Sequence, residues 1–174
     1  MTTRNQYAMQ NPLTQFPQPE YPAQTQTAPG TVHKLSPRAD HGEESYVGFG
    51  RMVGRKALVT GADSGIGRAV AIAFAREGAD VVLNYLPEEE ADAAEVVALI
   101  EAEGRKAVAV PGDLQDEAFC TELVNQAVQA LGGLDVVANI AGKQVAVETI
   151  EELTTEQFDA TFRTNVHALF WVCK

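Results

Sequence analysis

The chain has 174 residues and carries 24 Asp and Glu against 13 Lys and Arg, a formal net charge of −11. That balance argues against nucleic acid as a partner, because neutralising phosphates needs clustered Lys and Arg, and it disfavours anionic membranes for the same reason. Cys120 and Cys173 stand far apart and outside any Cys-x-x-Cys or Cys/His cluster. Neither a metal site nor a redox dithiol is expected, and a reducing, cytoplasmic setting fits.

Residues 1–38 hold six of the eight prolines and six glutamines, with few large apolar side chains. Such a segment buries too little surface to offset its ordering entropy, so it is expected to be a disordered or extended arm, ordered only against another surface. It begins without the apolar core of a signal peptide. Residues 39–54 read as a linker that packs on the domain through Tyr46, Phe49 and Met52. From residue 55 the pattern becomes regular. Apolar runs at Lys56–Thr60, Ala79–Tyr85, Lys106–Pro111 and Leu134–Asn139 have the continuity of parallel strands covered on both faces.

Helical spacing fills the gaps between these runs. Ile66, Val70 and Ala73 share one face, Ala93, Val97 and Ile100 a second, and Cys120, Val124, Ala127 and Leu131 a third. These helices stop at Gly78, Gly104 and the Gly132-Gly133 pair. A last helix starts near Thr155, with Phe158, Phe162, Val166 and Leu169 expected on its inner side. The alternation predicts an α/β fold: a Rossmann-like, doubly wound parallel sheet of about four strands over residues 55–174. The longest unbroken apolar stretch, Ala69 to Ala75, falls far below the ~20 residues a bilayer demands. Carboxylates cluster at residues 88–103 and 148–159, where they read as solvated helix faces.

The chemistry concentrates between the first strand and the first helix, in Thr60-Gly61-Ala62-Asp63-Ser64-Gly65-Ile66-Gly67. A strand, a glycine turn and a helix in that order let backbone N–H groups approach a diphosphate, and the helix N-terminus adds partial positive charge. A glycine triplet alone is weak, because methyltransferase folds also place glycines after their first strand. Two further motifs narrow the choice: Gly112-Asp113-Leu114 after the third strand and Asn139-Ile140-Ala141-Gly142 after the fourth.

Together these motifs resemble the classical short-chain dehydrogenase/reductase family, over essentially all of residues 55–174. The Pro-rich front and the Asp-His-Gly-Glu-x-Ser-Tyr-x-Gly segment resemble a bacterial subgroup of glucose/ribitol-type or stress-related oxidoreductases. The resemblance implies hydride transfer between a nicotinamide coenzyme and an alcohol or carbonyl substrate. It implies that Gly61, Gly65 and Gly67 bind the diphosphate, with Ser64 and Ile66 lending donors. Asp113 and Leu114 would flank the adenine, Asn139, Ala141 and Gly142 would line the nicotinamide ribose, and Asn165 would support a proton-relay water. It also implies a homodimer or homotetramer for the full-length protein.

The second strand ends at Asn84-Tyr85-Leu86, where Tyr85 is a candidate coenzyme-binding residue, with Glu88 only later and no Arg or Lys to receive a 2′-phosphate. Asp63, inside the glycine loop, would repel that phosphate, so NAD is expected over NADP. The family's catalytic Ser and Tyr-x-x-x-Lys have no counterpart. No Ser follows Ser64, and the residues four beyond Tyr7, Tyr21, Tyr46 and Tyr85 are Asn11, Thr25, Gly50 and Glu89. The chain is therefore expected to be a C-terminally truncated, inactive member holding the coenzyme-binding half, with a non-catalytic dinucleotide-binding module as the alternative. An exposed fourth strand would then favour self-association.

Overall fold

The protein is described here by a computed structural model covering residues 7–174. Four strands, β1 (Lys56–Thr60), β2 (Asp80–Tyr85), β3 (Ala107–Pro111) and β4 (Val136–Asn139), form one parallel sheet in the order β3-β2-β1-β4. The strands fall where the apolar runs place them, each shortened by at most two residues. Helices α1 (Gly65–Arg76), α2 (Glu90–Ala102) and α3 (Glu117–Leu131) follow the first three strands. After β4 come α4 (Thr155–Phe162), a π-helical turn over Arg163–His167, and α5 (Ala168–Cys173).

Side chains alternate across each strand, so the sheet divides its apolar residues between two cores. Leu58, Val82 and Val110 pack with Cys120, Leu123 and Ala127 of α3 and with Ala168 and Val172 of α5. Val59, Val81 and Leu83 pack on the opposite face with Ala71 and Ala75 of α1 and Val96 and Ile100 of α2. Helices on both faces make the sheet doubly wound. Beyond α1, α2 and α3 the backbone turns at Gly78, Gly104 and Gly132, each with positive φ, as the helix stops predict.

Two helix faces differ from the spacing argument. In α1 the inward residues are Arg68, Ala71, Ile72 and Ala75, while Ile66 is 72% exposed beside the glycine turn. The face is rotated because an arginine, Arg68, occupies a buried position that an apolar count passes over. In the last helical region Phe158, Phe162, Val166 and Leu169 are exposed, and Thr164, Ala168 and Val172 face inward. The π-turn adds a residue to one turn and shifts the inward stripe, so a single 3.6-residue period cannot follow the chain through it.

The segment before β1 lies on this domain through polar contacts. Glu77 accepts hydrogen bonds from Tyr46 Oη, the backbone N–H groups of Phe49 and Arg51, and the Arg51 guanidinium. Arg76 donates to the carbonyls of Gly42, Glu43 and Tyr46. Farther along, buried Arg68 bridges Glu43 (2.8 Å) and Glu95 (3.0 Å), and Arg38 also reaches Glu95. Although partial burial opposes it, the Glu43 carboxyl is held down to about 2 by the backbone N–H groups of Glu43 and His41 and by Arg68. No helix among the described residues is long and apolar enough to cross a membrane.

Candidate functional site

The sheet order reverses at β1: the chain moves outward through β2 and β3, then returns to place β4 on the other side of β1. Ligands of open α/β sheets bind at such a reversal, beyond the carboxyl ends of the strands. A cleft of about 960 Å³ opens there. It is lined by every residue the sequence singles out: the 61–67 turn except Ala62, Tyr85, Asp113, Leu114, Asn139, Ala141, Gly142 and Asn165.

The glycine turn is shaped by close backbone approach. A Cβ at Gly67 would stand 1.8 Å from the carbonyl oxygen of Gly61, and one at Gly61 would meet the Cα of Ala141 at 2.8 Å. Gly61 also takes a φ of +61°, which side-chain-bearing residues rarely adopt. No wider residue fits either place without moving the chain. The turn delivers α1 into the cleft with no side chain capping it: Ser64 occupies the N-cap position and makes no capping bond. By contrast, α3 is capped by Asp116, and α4 by Thr154 in a capping box with Gln157. The first N–H groups of α1 therefore remain open to an anion.

Two polar side chains in otherwise apolar strands hold the floor of the cleft. Thr60 Oγ1 accepts from the N–H groups of Ile140 (3.0 Å) and Ala141 (3.2 Å), tying the end of β1 to the segment after β4. Asn84 Nδ2 donates to the carbonyls of Val110 (3.2 Å) and Gly112 (3.1 Å), tying β2 to the end of β3 and the residue that follows it. In the sequence Asn84 marks only a strand end, and Thr60 only the residue before the glycines. The signal for both was a polar residue inside a strand of apolar ones.

The two ends of the cleft differ in charge. On the β2 side, Asp63 is 2% exposed and its Oδ2 has no hydrogen-bond partner. Burial pushes its carboxyl up, with the Asp92 charge adding to the shift and Arg68 opposing it. Glu89 is pushed up to about 7, first by burial and then by the charge of Asp63. Tyr85 donates to Glu90 (2.6 Å), and its phenol is pushed up by burial and by that carboxylate. At the β4 end stands Lys143, the one cationic residue among those lining the cleft. Asn165 lies on the π-turn and clamps the Lys143 backbone, accepting from its N–H and donating to its carbonyl, both at 2.7 Å. Asn139 reaches across to Cys173 Sγ (3.4 Å). Asp113 turns back on its own loop, accepting from the backbone and side chain of Gln115.

A parallel sheet with an uncapped helix, a turn whose Gly61 and Gly67 leave no room for a Cβ, and a cleft at the strand-order reversal define a Rossmann-like α/β protein. The comparison with known families carries this further. The family model for short chain dehydrogenase matches residues 55–174, and the chain belongs to that family. Over 94% of its length it is 62% identical to the uncharacterized oxidoreductase YhxD of Bacillus subtilis, covering 55% of that protein. It is 58% identical to the uncharacterized oxidoreductase YghA of Escherichia coli, again over 94% of this chain and 56% of the other. A short chain dehydrogenase from Burkholderia cenocepacia, solved in complex with NADP, superimposes with a TM-score of 0.68 at 41% identity, over 71% of this chain and 49% of that one. The chain thus spans about half the length of the curated relatives it matches.

Proposed function

We propose that residues 55–174 are the coenzyme-binding half of an oxidoreductase that moves hydride between a nicotinamide dinucleotide and an alcohol or carbonyl. The observation that carries this reading is the 61–67 turn, where Gly67 has no room for a side chain and α1 opens uncapped into the cleft. The N–H groups of Gly65, Ile66 and Gly67, with the Ser64 hydroxyl, would hold the diphosphate. Asp113, Leu114 and Tyr85 would border the adenosine, and Asn139, Ala141 and Gly142 the nicotinamide ribose. When bound, the coenzyme supplies the hydride acceptor or donor. Asn165, by fixing the Lys143 backbone, would set the nicotinamide end of the wall and support proton movement there.

The 174 residues contain no Tyr-x-x-x-Lys and no Ser beyond Ser64. Hydride transfer in this family needs a phenol brought toward neutrality by a neighbouring ammonium, so this chain is expected to bind coenzyme without turnover. Residues 1–38 and 39–54 are read as an arm and a packed linker in front of this domain. We place the protein in a reducing compartment such as the cytoplasm, in keeping with the unpaired Cys120 and Cys173. Self-association into dimers or tetramers is supported by the exposed stripe on the last helical region.

We favour NAD over NADP. Asp63 and Glu89 border the cleft on the β2 side, where Glu89 would accept from hydroxyl donors of the adenosine ribose. A 2′-phosphate in their place would meet two acidic groups and no cation, a repulsion of about 3 kcal/mol for each carboxyl that is ionised, at about 5 Å in a partly wet site. The NADP complex of the Burkholderia relative points the other way for that protein. Titrating the chain with NADH and NADPH, read by coenzyme fluorescence, decides the matter. Tighter NADPH binding overturns the coenzyme choice, and no binding of either overturns the whole reading.

A further inference from the structure

The sequence marks residues 1–38 as an arm ordered only against another surface, and Ala28 and Pro29 line the same cleft as the glycine turn. Their position is held by a ladder of side-chain bonds. Gln26 brackets the loop that carries them, with Oε1 accepting from the Thr31 N–H (2.8 Å) and Nε2 donating to the Thr31 carbonyl (3.1 Å). Gln24 does the same one step outward, accepting from the Ser36 N–H (3.0 Å) and donating to its carbonyl (2.8 Å). Two glutamines thus replace the strand pairing that this irregular backbone lacks.

The ladder is bolted to the domain beside the coenzyme cleft. Val32 is 3% exposed, and its N–H donates to Oδ2 of Asp92 at 2.7 Å. The other oxygen of Asp92 meets His33 Nδ1 at 3.3 Å. Asp92 is fully buried in the first turn of α2, the helix that follows β2. A buried carboxylate with two partners from the arm is costly to place, and without the arm it would have neither. Arg38 extends the attachment to Glu95, one turn along α2.

We infer that the loop Gln26–Thr31 is part of the coenzyme site, with Ala28 and Pro29 forming its outer wall at the adenosine end and Asp92 as the positioning residue that seats it. The end is fixed by topology. The anchor lies on the helix after β2, on the side of Tyr85 and Glu89, whereas Asn139 and Lys143 belong to the β4 side. Pro29 supplies a rigid apolar surface against which a base can pack, at little conformational cost. The adenosine moiety and the arm would then stabilise one another. This inference rests on the coenzyme reading above.

The test is tryptic cleavage after Lys34 and Arg38 in the 174-residue chain, with binding measured separately by calorimetry. NADH or ADP-ribose at ten times its Kd is expected to slow cleavage after Lys34 about fourfold, because only the arm-open state is cut and that state binds about fivefold more weakly. Nicotinamide mononucleotide, which lacks adenosine, is expected to leave that cleavage unchanged. Gln26→Ala, in a side chain outside the domain core, is expected to weaken ADP-ribose binding about fivefold and to leave thermal stability nearly unchanged. Asp92→Ala should do both harms, with Asp92→Asn restoring part of the protection. If NADH binds but the arm is cut at the same rate, or if nicotinamide mononucleotide protects equally, the inference is overturned. If neither NADH nor ADP-ribose binds, the coenzyme reading itself fails.

Discussion

The two flanks of β1 are built to different standards. Toward β2 the strands beside β1 are covered: β1 and β2 are buried along almost their whole length by α1 and α2, and the edge falls one strand out, on β3. Toward β4 the sheet is open. No described strand lies beyond β4, Val137 is 36% exposed, and the helical region that follows shows Phe158, Phe162, Val166 and Leu169 to solvent. The covered flank holds the glycine turn, Asp63 and the arm. The open flank contributes Asn139, Lys143 and Asn165 to the cleft, while its outer surface lacks a cover within the described chain. Under the proposed reading, adenosine and diphosphate would be held on the covered side.

The sharpest way to break the contrast is at the turn. Gly67→Val would drive a side chain into the Gly61 carbonyl, where even a Cβ has 1.8 Å. The backbone must shift, at a cost of about 3 kcal/mol or more. The expected outcome is loss of NADH binding by fluorescence titration together with a lower melting temperature.

A nearly equal effect is expected at Arg68, 1% exposed and paired with Glu43 and Glu95. Arg68→Ala would leave Glu43 partly buried without its guanidinium, a loss of about 3 kcal/mol in urea unfolding. The Glu43 carboxyl sits at about 2 in the folded chain against an ordinary 4.5. A depressed carboxyl contributes stability above pH 4.5 that is lost as the pH falls toward 2. The variant should therefore differ most from the wild type near neutrality and approach it in acid.

At the seam between the flanks, Thr60→Val keeps the shape and deletes the acceptor for Ile140 and Ala141. Two part-buried N–H groups lose their partner, costing about 2 kcal/mol. Hydrogen exchange at those two amides should accelerate more than at the strand centres.

Glu89 gives a smaller, pH-shaped effect. Its carboxyl rises from 4.5 to about 7, so ionising it opposes folding. Its stabilising contribution is fully present below pH 4.5 and is lost as pH rises through 7. With its partial exposure discounted, Glu89→Gln is expected to gain about 1 kcal/mol over the wild type at pH 8 and nothing at pH 4.5, read as melting temperature against pH.

These contrasts bear on what a sequence can convey. The strands, the turn and the motif residues were legible because each is a local pattern: an apolar run, a glycine spacing, a polar residue at a strand end. Arg68 was not, since a charged residue on a helix reads as solvent-facing until Glu43 and Glu95 are known to converge on it from distant positions. The contacts of the arm were equally hidden. Gln24 and Gln26 look like the filler of a low-complexity segment, and only the fold brings Val32 and His33 to Asp92. Asn165 was placed by its motif, but its grip on Lys143 depends on a π-turn that has no simple periodic signature.

The exposed helical stripe gives the smallest effect on stability and the most direct comment on the open flank. Phe158 and Phe162 stack with ring centroids 4.6 Å apart while remaining 48% and 44% exposed, and Val166 continues the stripe. Their spacing is that of a buried helix face, yet the inward positions are taken by Thr164, Ala168 and Val172. An apolar stripe of this extent left in water favours association, because covering it returns roughly 25 cal/mol per Å2. Size-exclusion chromatography is expected to show elution that moves earlier with concentration. The pair Phe162→Ser and Val166→Ser should suppress that movement and change the melting temperature little, since neither side chain packs in the two cores. A concentration-independent monomer in the unaltered chain would show that the two flanks are equally self-sufficient, and the contrast drawn between them would fail.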